Sequence, residues 1–235
     1  MKIRTKIFFV IVLIFSEIIS VADTSIPFSF DTLFFTNKTG KIIPNNDVEK
    51  LLKSKDAKQV ANSFYNTGFA LANKKDATLH DLRIAQSYFE LAISFYAKKE
   101  NHKELALCLE HKATIEYELS NYEKAVTYFQ QAIAEYEKGD SVDINQIALL
   151  NNNIAFIFLN SYRFEKALRF FDIGLSIYKD LNDTVNIAKN TYQKGFTYFE
   201  AENYDSALVY YKQALVWDSL TKKPNEIIAS SIPLL

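Results

Sequence analysis

The sequence predicts an all-α protein, a solenoid of about four stacked helix pairs. Three observations carry that prediction. Glycine and proline number only 5 and 4 in 235 residues, too few breakers for an all-β sandwich. Hydrophobic residues make up 49% of the chain, enough for one continuous core. One phrase recurs four times: DLRIAQSYFELAISFYAK at 81–98, NYEKAVTYFQQAIAEYEK at 121–138, RFEKALRFFDIGLSIYKD at 163–180 and NYDSALVYYKQALVWDSL at 203–220.

Residues 1–22 read as an export address. Lys2, Arg4 and Lys6 precede the apolar run IFFVIVLIF at 7–15, Glu17 interrupts it, and SVA at 20–22 stands before Asp23. A basic start, a short apolar stretch and small residues at a cleavage point describe a secretory signal peptide, with an uncleaved anchor as the alternative. The run is well short of the roughly 20 residues that cross a bilayer. No cysteine follows it for lipid attachment, and no second membrane segment occurs downstream. The expectation is a mature chain that works outside the cytoplasm, periplasmic or extracellular, with no membrane span after signal cleavage. The abundance of Lys, Asn, Ile and Phe suggests an AT-rich bacterial genome.

Residues 23–45 carry no helical period, and Pro27, Gly40 and Pro44 interrupt them, so they read as an extended leader. Phe28, Phe30, Phe34 and Phe35 alternate as in a strand-like segment, docked on the first repeat or free to act as a partner-binding arm. The solenoid spans 46–220, and helix begins near Asp47 or Asp56, each an N-cap candidate.

Placed in register, the four phrases align on Ala85, Ala125, Ala167 and Ala207, which are 40, 42 and 40 residues apart. Three residues earlier stands Leu82, Tyr122, Phe164 or Tyr204; four later stands Phe89, Phe129, Phe171 or Tyr211; seven later stands Ala92, Ala132, Gly174 or Ala214. Such offsets trace one face of an α-helix, small residues admitting close backbone approach and rings filling the space beside them. Upstream of each phrase a second amphipathic helix carries its own small residue: Gly68, Ala113, Ala155 and Gly195. In the last three repeats it precedes the aligned alanine by twelve residues, and in the first by seventeen, an insertion around KKDAT. The predicted core is therefore Gly68, Ala85, Phe89, Ala92, Ala113, Ala125, Phe129, Ala132, Ala155, Ala167, Phe171, Gly174, Gly195, Ala207, Tyr211 and Ala214. Glu116 stands where the other repeats place Leu71, Phe158 and Tyr198, so packing in the second repeat must accommodate a carboxylate there.

A small residue in one helix, then aromatic–x–x–Ala opening the next, then Phe/Tyr and Ala down the same face resembles the tetratricopeptide (TPR) repeat family. The likeness covers roughly residues 60–220. It departs in two ways: the period exceeds the 34 residues of the common form, and the proline that closes a repeat is missing. The resemblance implies a right-handed superhelix in which no pair buries its own apolar face, and a concave groove lined by the first helices. By register the groove residues are Asn62, Tyr65 and Phe69, then Glu110, Thr114 and Tyr117, then Asn152 and Phe156, then Tyr192, Phe196 and Glu200. Amides of this kind bond an extended peptide backbone, and rings supply contact area.

After 220 the segment KKPNEIIASSIPLL begins like another first helix. Residues 221–235 are thus expected to be a partial fifth repeat or a capping helix: the tail folds back as a cap, docks on a partner, or belongs to a truncated form of a longer protein. With Ile227, Ile228, Ile232, Leu234 and Leu235 apolar, this tail is also a candidate surface for self-association.

Catalytic chemistry is not visible. There is no glycine-rich phosphate loop, no G-x-S-x-G, no H-E-x-x-H and no metal-ligand spacing among His80, His102 and His111. Cys108 is single and reads as a small buried side chain. Net charge is −1 with no basic stripe, which argues against nucleic acid. The expectation is a non-enzymatic, cofactor-free, metal-free exported scaffold for a protein or peptide partner. The alternatives are the extracytoplasmic sensory part of a signalling protein, such as a sensor kinase or regulator, and a glycan-binding envelope protein. For the last, the single Trp217 offers little of a sugar platform.

Overall fold

The computed structural model describes residues 34–36, 42–44, 50, 53, 57–139 and 143–221. The expected signal peptide, both N-cap candidates Asp47 and Asp56, and the expected partial repeat after Thr221 lie outside these residues. Two short strands, β1 (Phe34–Thr36) and β2 (Ile42–Pro44), form an antiparallel hairpin in which Phe34 faces Pro44, Phe35 faces Ile43 and Thr36 faces Ile42. Eight helices follow among the described residues: α1 (Ala57–Ala72), α2 (Leu79–Lys98), α3 (His102–Glu118), α4 (Tyr122–Lys138), α5 (Ile144–Asn160), α6 (Phe164–Asp180), α7 (Thr184–Glu200) and α8 (Tyr204–Ser219). They pack as the pairs α1/α2, α3/α4, α5/α6 and α7/α8, and each pair lies against the next. The extended leader contributes β2 as a strand beside α2. The molecule is an all-α solenoid with this hairpin at its N-terminal end.

The long period has a simple origin. The helices from α3 to α7 run 17 residues each. Most are joined by turns of one design. Glu100, Ser120, Tyr162, Asn182 and Glu202 take positive φ of 52°, 62°, 58°, 54° and 59°. The next residue then returns its N–H to a carbonyl of the last helical turn, as Asn121 does to Glu116 at 2.8 Å and Arg163 to Phe158 at 2.8 Å. That residue is also the N-cap of the following helix. One residue therefore closes one helix and opens the next. The left-handed residue is not glycine at any of these five turns, at a steric cost of roughly 1 kcal/mol each. The five-residue insertion in the first repeat lengthens the α1–α2 connection, and Thr78 with Asp81 caps α2 reciprocally there.

Every core position predicted from register is buried. Phe89, Phe129, Phe171 and Tyr211 are all within 1% of full burial, as are the aligned alanines beside them. Burying each such ring contributes on the order of 1.5–3 kcal/mol. Glu116 is accommodated by hydrogen bonds rather than by space. It is 7% exposed, and its two oxygens accept from Gln86 Nε2 at 2.9 Å and Asn121 Nδ2 at 2.7 Å.

Candidate functional site

Four offsets from the small residue of each first helix define one long face. On α1 they hold Asn62, Tyr65 and Phe69, with Asn73 just past its end, and on α3 Leu107, Glu110, Thr114 and Glu118. On α5 they hold Leu149, Asn152, Phe156 and Asn160, on α7 Lys189, Tyr192, Phe196 and Glu200. The ends of each row are mostly exposed and the middle is half-buried or buried. Asn62 and Glu200 are exposed, while Tyr65, Phe69, Thr114, Tyr117, Asn152, Phe156 and Phe196 are half-buried. Two predicted groove residues do not line an open surface. Glu110 is 6% exposed and Tyr192 7% exposed, because neighbouring helices close over the middle of the row at those repeats. Leu149 and Asn160 lie on the same face and were absent from the predicted set, although their offsets were readable from the register.

Polar side chains lace adjacent first helices together along this face. The Tyr65 hydroxyl lies 3.0 Å from His111 Nε2, linking α1 to α3. Gln146 Nε2 donates to Glu110 Oε2 at 2.8 Å and Asn160 Nδ2 donates to the Tyr117 hydroxyl at 2.8 Å, both linking α3 to α5. Asn190 Nδ2 donates to Asn152 Oδ1 at 2.7 Å, linking α5 to α7. This last pair sits over Gly174 of α6. A Cβ at Gly174 would meet the Asn152 amide and stand 2.9 Å from Asn190 Nδ2, so the glycine is needed for close approach. The side-chain amide oxygens Asn190 Oδ1 and Gln193 Oε1 are buried without a protein donor. Asn62 Oδ1 accepts from the Tyr96 hydroxyl at 2.6 Å.

Two adjacent residues carry shifted ionisation. Burial raises the Glu110 carboxyl to about 7, with Gln146 and Tyr136 bonding it and Asp143 adding repulsion. Burial lowers the His111 imidazole to about 4, where it stacks on Phe89 with ring centres 5.4 Å apart. Burial also pushes the Cys108 thiol up, away from reactivity. A second polar arrangement occurs twice. Lys112 pairs with Glu90 at 3.1 Å and lies 4.6 Å over the Tyr128 ring. Lys194, in the same register, pairs with Asp172 and lies 4.4 Å over the Tyr210 ring. Burial opposes the charge on Lys194, but Asp172 and Tyr210 outweigh it and leave its pKa above the usual value.

Among the described residues, no group of three His, Cys, Asp or Glu stands close enough to hold a metal ion, and no helix is long and apolar enough to cross a membrane. A hollow of about 580 Å³ at the junction of α2, α3 and α4 is lined by Arg83, Gln86, Glu116 and Lys124, both signs of charge together. The arrangement offers hydrogen bonds, rings and mixed charge, which suit non-covalent recognition.

No family model matches the chain, and no curated protein does. Solved structures match by fold. Aspartyl phosphate phosphatase F from Bacillus subtilis superposes with a TM-score of 0.63 at 18% identity, over 78% of this chain and 46% of that one. The apo form of RapI superposes at 0.60 with 17% identity, over 73% of this chain and 60% of that one. BtubC from P. vanneervenii superposes at 0.52 with 15% identity, over 80% and 79%. The chain spans about half the length of the first of these, and identities this low establish a shared helical-repeat fold alone.

Proposed function

We propose that the chain is a non-catalytic scaffold of the TPR type that binds a protein or peptide along the face of its first helices, after export through the segment 1–22. The observation that supports this reading most is the half-buried row Asn152, Phe156 and Phe196. Here an amide and two rings stay accessible on helices whose neighbours are already packed and hydrogen-bonded. Half-open rings give contact area at low entropy cost, and an amide has capacity for a backbone partner. A folded partner or extended segment lying across α5 and α7 would take both.

The test uses the chain from Asp23 to Leu235, immobilised and exposed to an envelope extract. Asn152→Ala, Phe156→Ala and Phe196→Ala should each weaken capture of a given partner at unchanged helical content. Equal capture by all three removes this face as the site. Export is tested separately, by expressing the full chain in a bacterium and sequencing the N-terminus of the envelope fraction; a chain retained whole in the cytoplasm removes that part of the proposal. A sensory role in a signalling protein is the second reading, and the name of the first structural neighbour, a phosphatase of aspartyl phosphate, favours it. It uses the same face, and requires that ligand binding alter the arrangement of the helix pairs.

A further inference from the structure

The joints between successive pairs are not alike. At the α2/α3 joint Lys112 pairs with Glu90, and at the α6/α7 joint Lys194 pairs with Asp172, each buried ammonium clamping a first helix to the preceding second helix. At the α4/α5 joint the same register places Ile154 and Gln130, so this charged clamp has no counterpart. The connection there also differs. Gly139 after α4 is in extended conformation, and the link to Asp143 is two residues longer in sequence than at the other joints. Finally, α4 packs against α5 less extensively than α2 does against α3 or α6 against α7.

Beside the Asn160–Tyr117 hydrogen bond and the exposed Arg163–Glu123 ion pair, what crosses this joint is a buried carboxyl. Glu110 Oε2 on α3 accepts from Gln146 Nε2 on α5 at 2.8 Å and from the Tyr136 hydroxyl on α4 at 3.4 Å. Gln146 is itself positioned by Asp143, whose side chain accepts from the Gln146 N–H at 3.1 Å. The ionisable groups facing Glu110 are Tyr136 from α4, Asp143 at the start of α5 and Tyr65 from α1. None is a base, so an ionised Glu110 has no cation to receive it.

We propose that the α4/α5 joint is the pivot of the solenoid, and that protonation of Glu110 sets it: neutral, the carboxyl stays buried and holds α3, α4 and α5 together; ionised, it draws water and lets the two halves swing apart. A charge without a buried counter-ion is relieved by hydration more readily than by any rearrangement of a fully apolar interface. The raised ionisation range of Glu110, near 7, places the change at neutral pH, well clear of the His111 range near 4. At the two outer joints the carboxylate meets a lysine directly. The groove would then have two curvatures, which goes beyond the binding role and does not depend on the identity of any partner.

The experiment places spin labels at the exposed Ser94 of α2 and Ser176 of α6, in a Cys108→Ala background that removes the native thiol. The distance distribution is measured at about pH 5.5 and about pH 8.5. In the otherwise native chain the distribution should lengthen and broaden at the higher pH, with a midpoint near 7. Glu110→Gln, which keeps the hydrogen-bond acceptor and cannot ionise, should hold the low-pH distribution at both. Gln146→Ala, which removes the tie from the other side, should shift the distribution toward the open form at low pH. A native distribution that does not change with pH overturns the proposal, and so does a Glu110→Gln chain that changes as the native one does. Circular dichroism at both pH values must stay constant for each chain; a loss of helix that tracks the distance change would make the movement unfolding and would also overturn it.

Discussion

Glu110 and His111 are neighbours in sequence, both buried and displaced from their ordinary ranges in opposite directions, and their effects on stability should cancel. Glu110 is raised from 4.5 to about 7 in the folded chain. Its contribution is therefore fully present below pH 4.5 and is lost as pH rises through 7. His111 is lowered from 6.5 to about 4. Its contribution is fully present above pH 6.5 and is lost as pH falls through 4. Each shift spans roughly 2.5 units, which at about 1.4 kcal/mol per unit amounts to about 3 kcal/mol per residue. Between pH 4.5 and 6.5 the unfolded chain has released the Glu110 proton while the folded chain holds it. Over the same interval the unfolded chain has taken up a His111 proton that the folded chain refuses. The two slopes are equal and opposite, so this pair contributes a level stretch.

Single substitutions uncover each half. Glu110→Gln retains an acceptor for Gln146, and its stability should rise relative to wild type by about 1.4 kcal/mol for each pH unit between 4.5 and 6.5. At pH 8 it should be about 3 kcal/mol more stable than wild type, because the native chain then carries a buried carboxylate. His111→Gln has its precedent in Gln193, which occupies the same offset two repeats later, and its stability should fall with pH over the same interval at the same rate. The double variant should be level again. The assay is urea unfolding followed by circular dichroism at half-unit steps of pH, with differences taken between chains so that all other titrating groups drop out. Parallel curves for wild type and Glu110→Gln would refute the reasoning, because they would mean the carboxyl titrates in the fold as it does in the unfolded chain.

Other outcomes follow from the packing. Gly174→Ala pushes a methyl into the Asn152–Asn190 pair and should cost about 1–3 kcal/mol in thermal unfolding, with Gly174→Ala/Asn152→Ala recovering part of it; an unchanged melting temperature for the single variant would show that the amides give way freely. Tyr162→Gly relieves a left-handed residue whose side chain is 76% exposed, and should gain about 0.5–1 kcal/mol by urea unfolding; a loss instead would mean that its edge contact with Phe164 outweighs the backbone strain. Asp172→Asn should destabilise more than Lys194→Met, since the first leaves a buried ammonium without its carboxylate and the second removes both the charge and its need. The difference should be on the order of 1 kcal/mol, modest because the Asp172 side chain is 57% exposed, and the reverse ranking would show that the pair contributes through packing alone.

The core was legible because size at a fixed offset is a direct statement about space. Ala125 and Phe129 differ in volume but share a face, and a pattern of that kind repeated four times has one packing solution. The turns were legible in position only. Nothing in Ser120, Tyr162 or Glu202 announces a left-handed residue, and that conformation follows from two helices having to begin and end within three residues. The face of the first helices was legible in register but not in depth. Tyr65, Glu110, Asn152 and Tyr192 share one offset, yet Tyr65 and Asn152 remain half-open while Glu110 and Tyr192 are covered. What covers Glu110 is Gln146 and Tyr136, from two different helices, and an offset within one helix holds no information about either. The unequal joints are hidden in the sequence for the same physical reason. The importance of Lys112 and Lys194 arises only when Glu90 and Asp172 arrive from the preceding pair. Ile154 in that register is fully buried. In the assembled stack it marks the joint where apolar contact stands in for a charged clamp, and where a buried tie across the joint is a carboxyl that neutral pH can ionise.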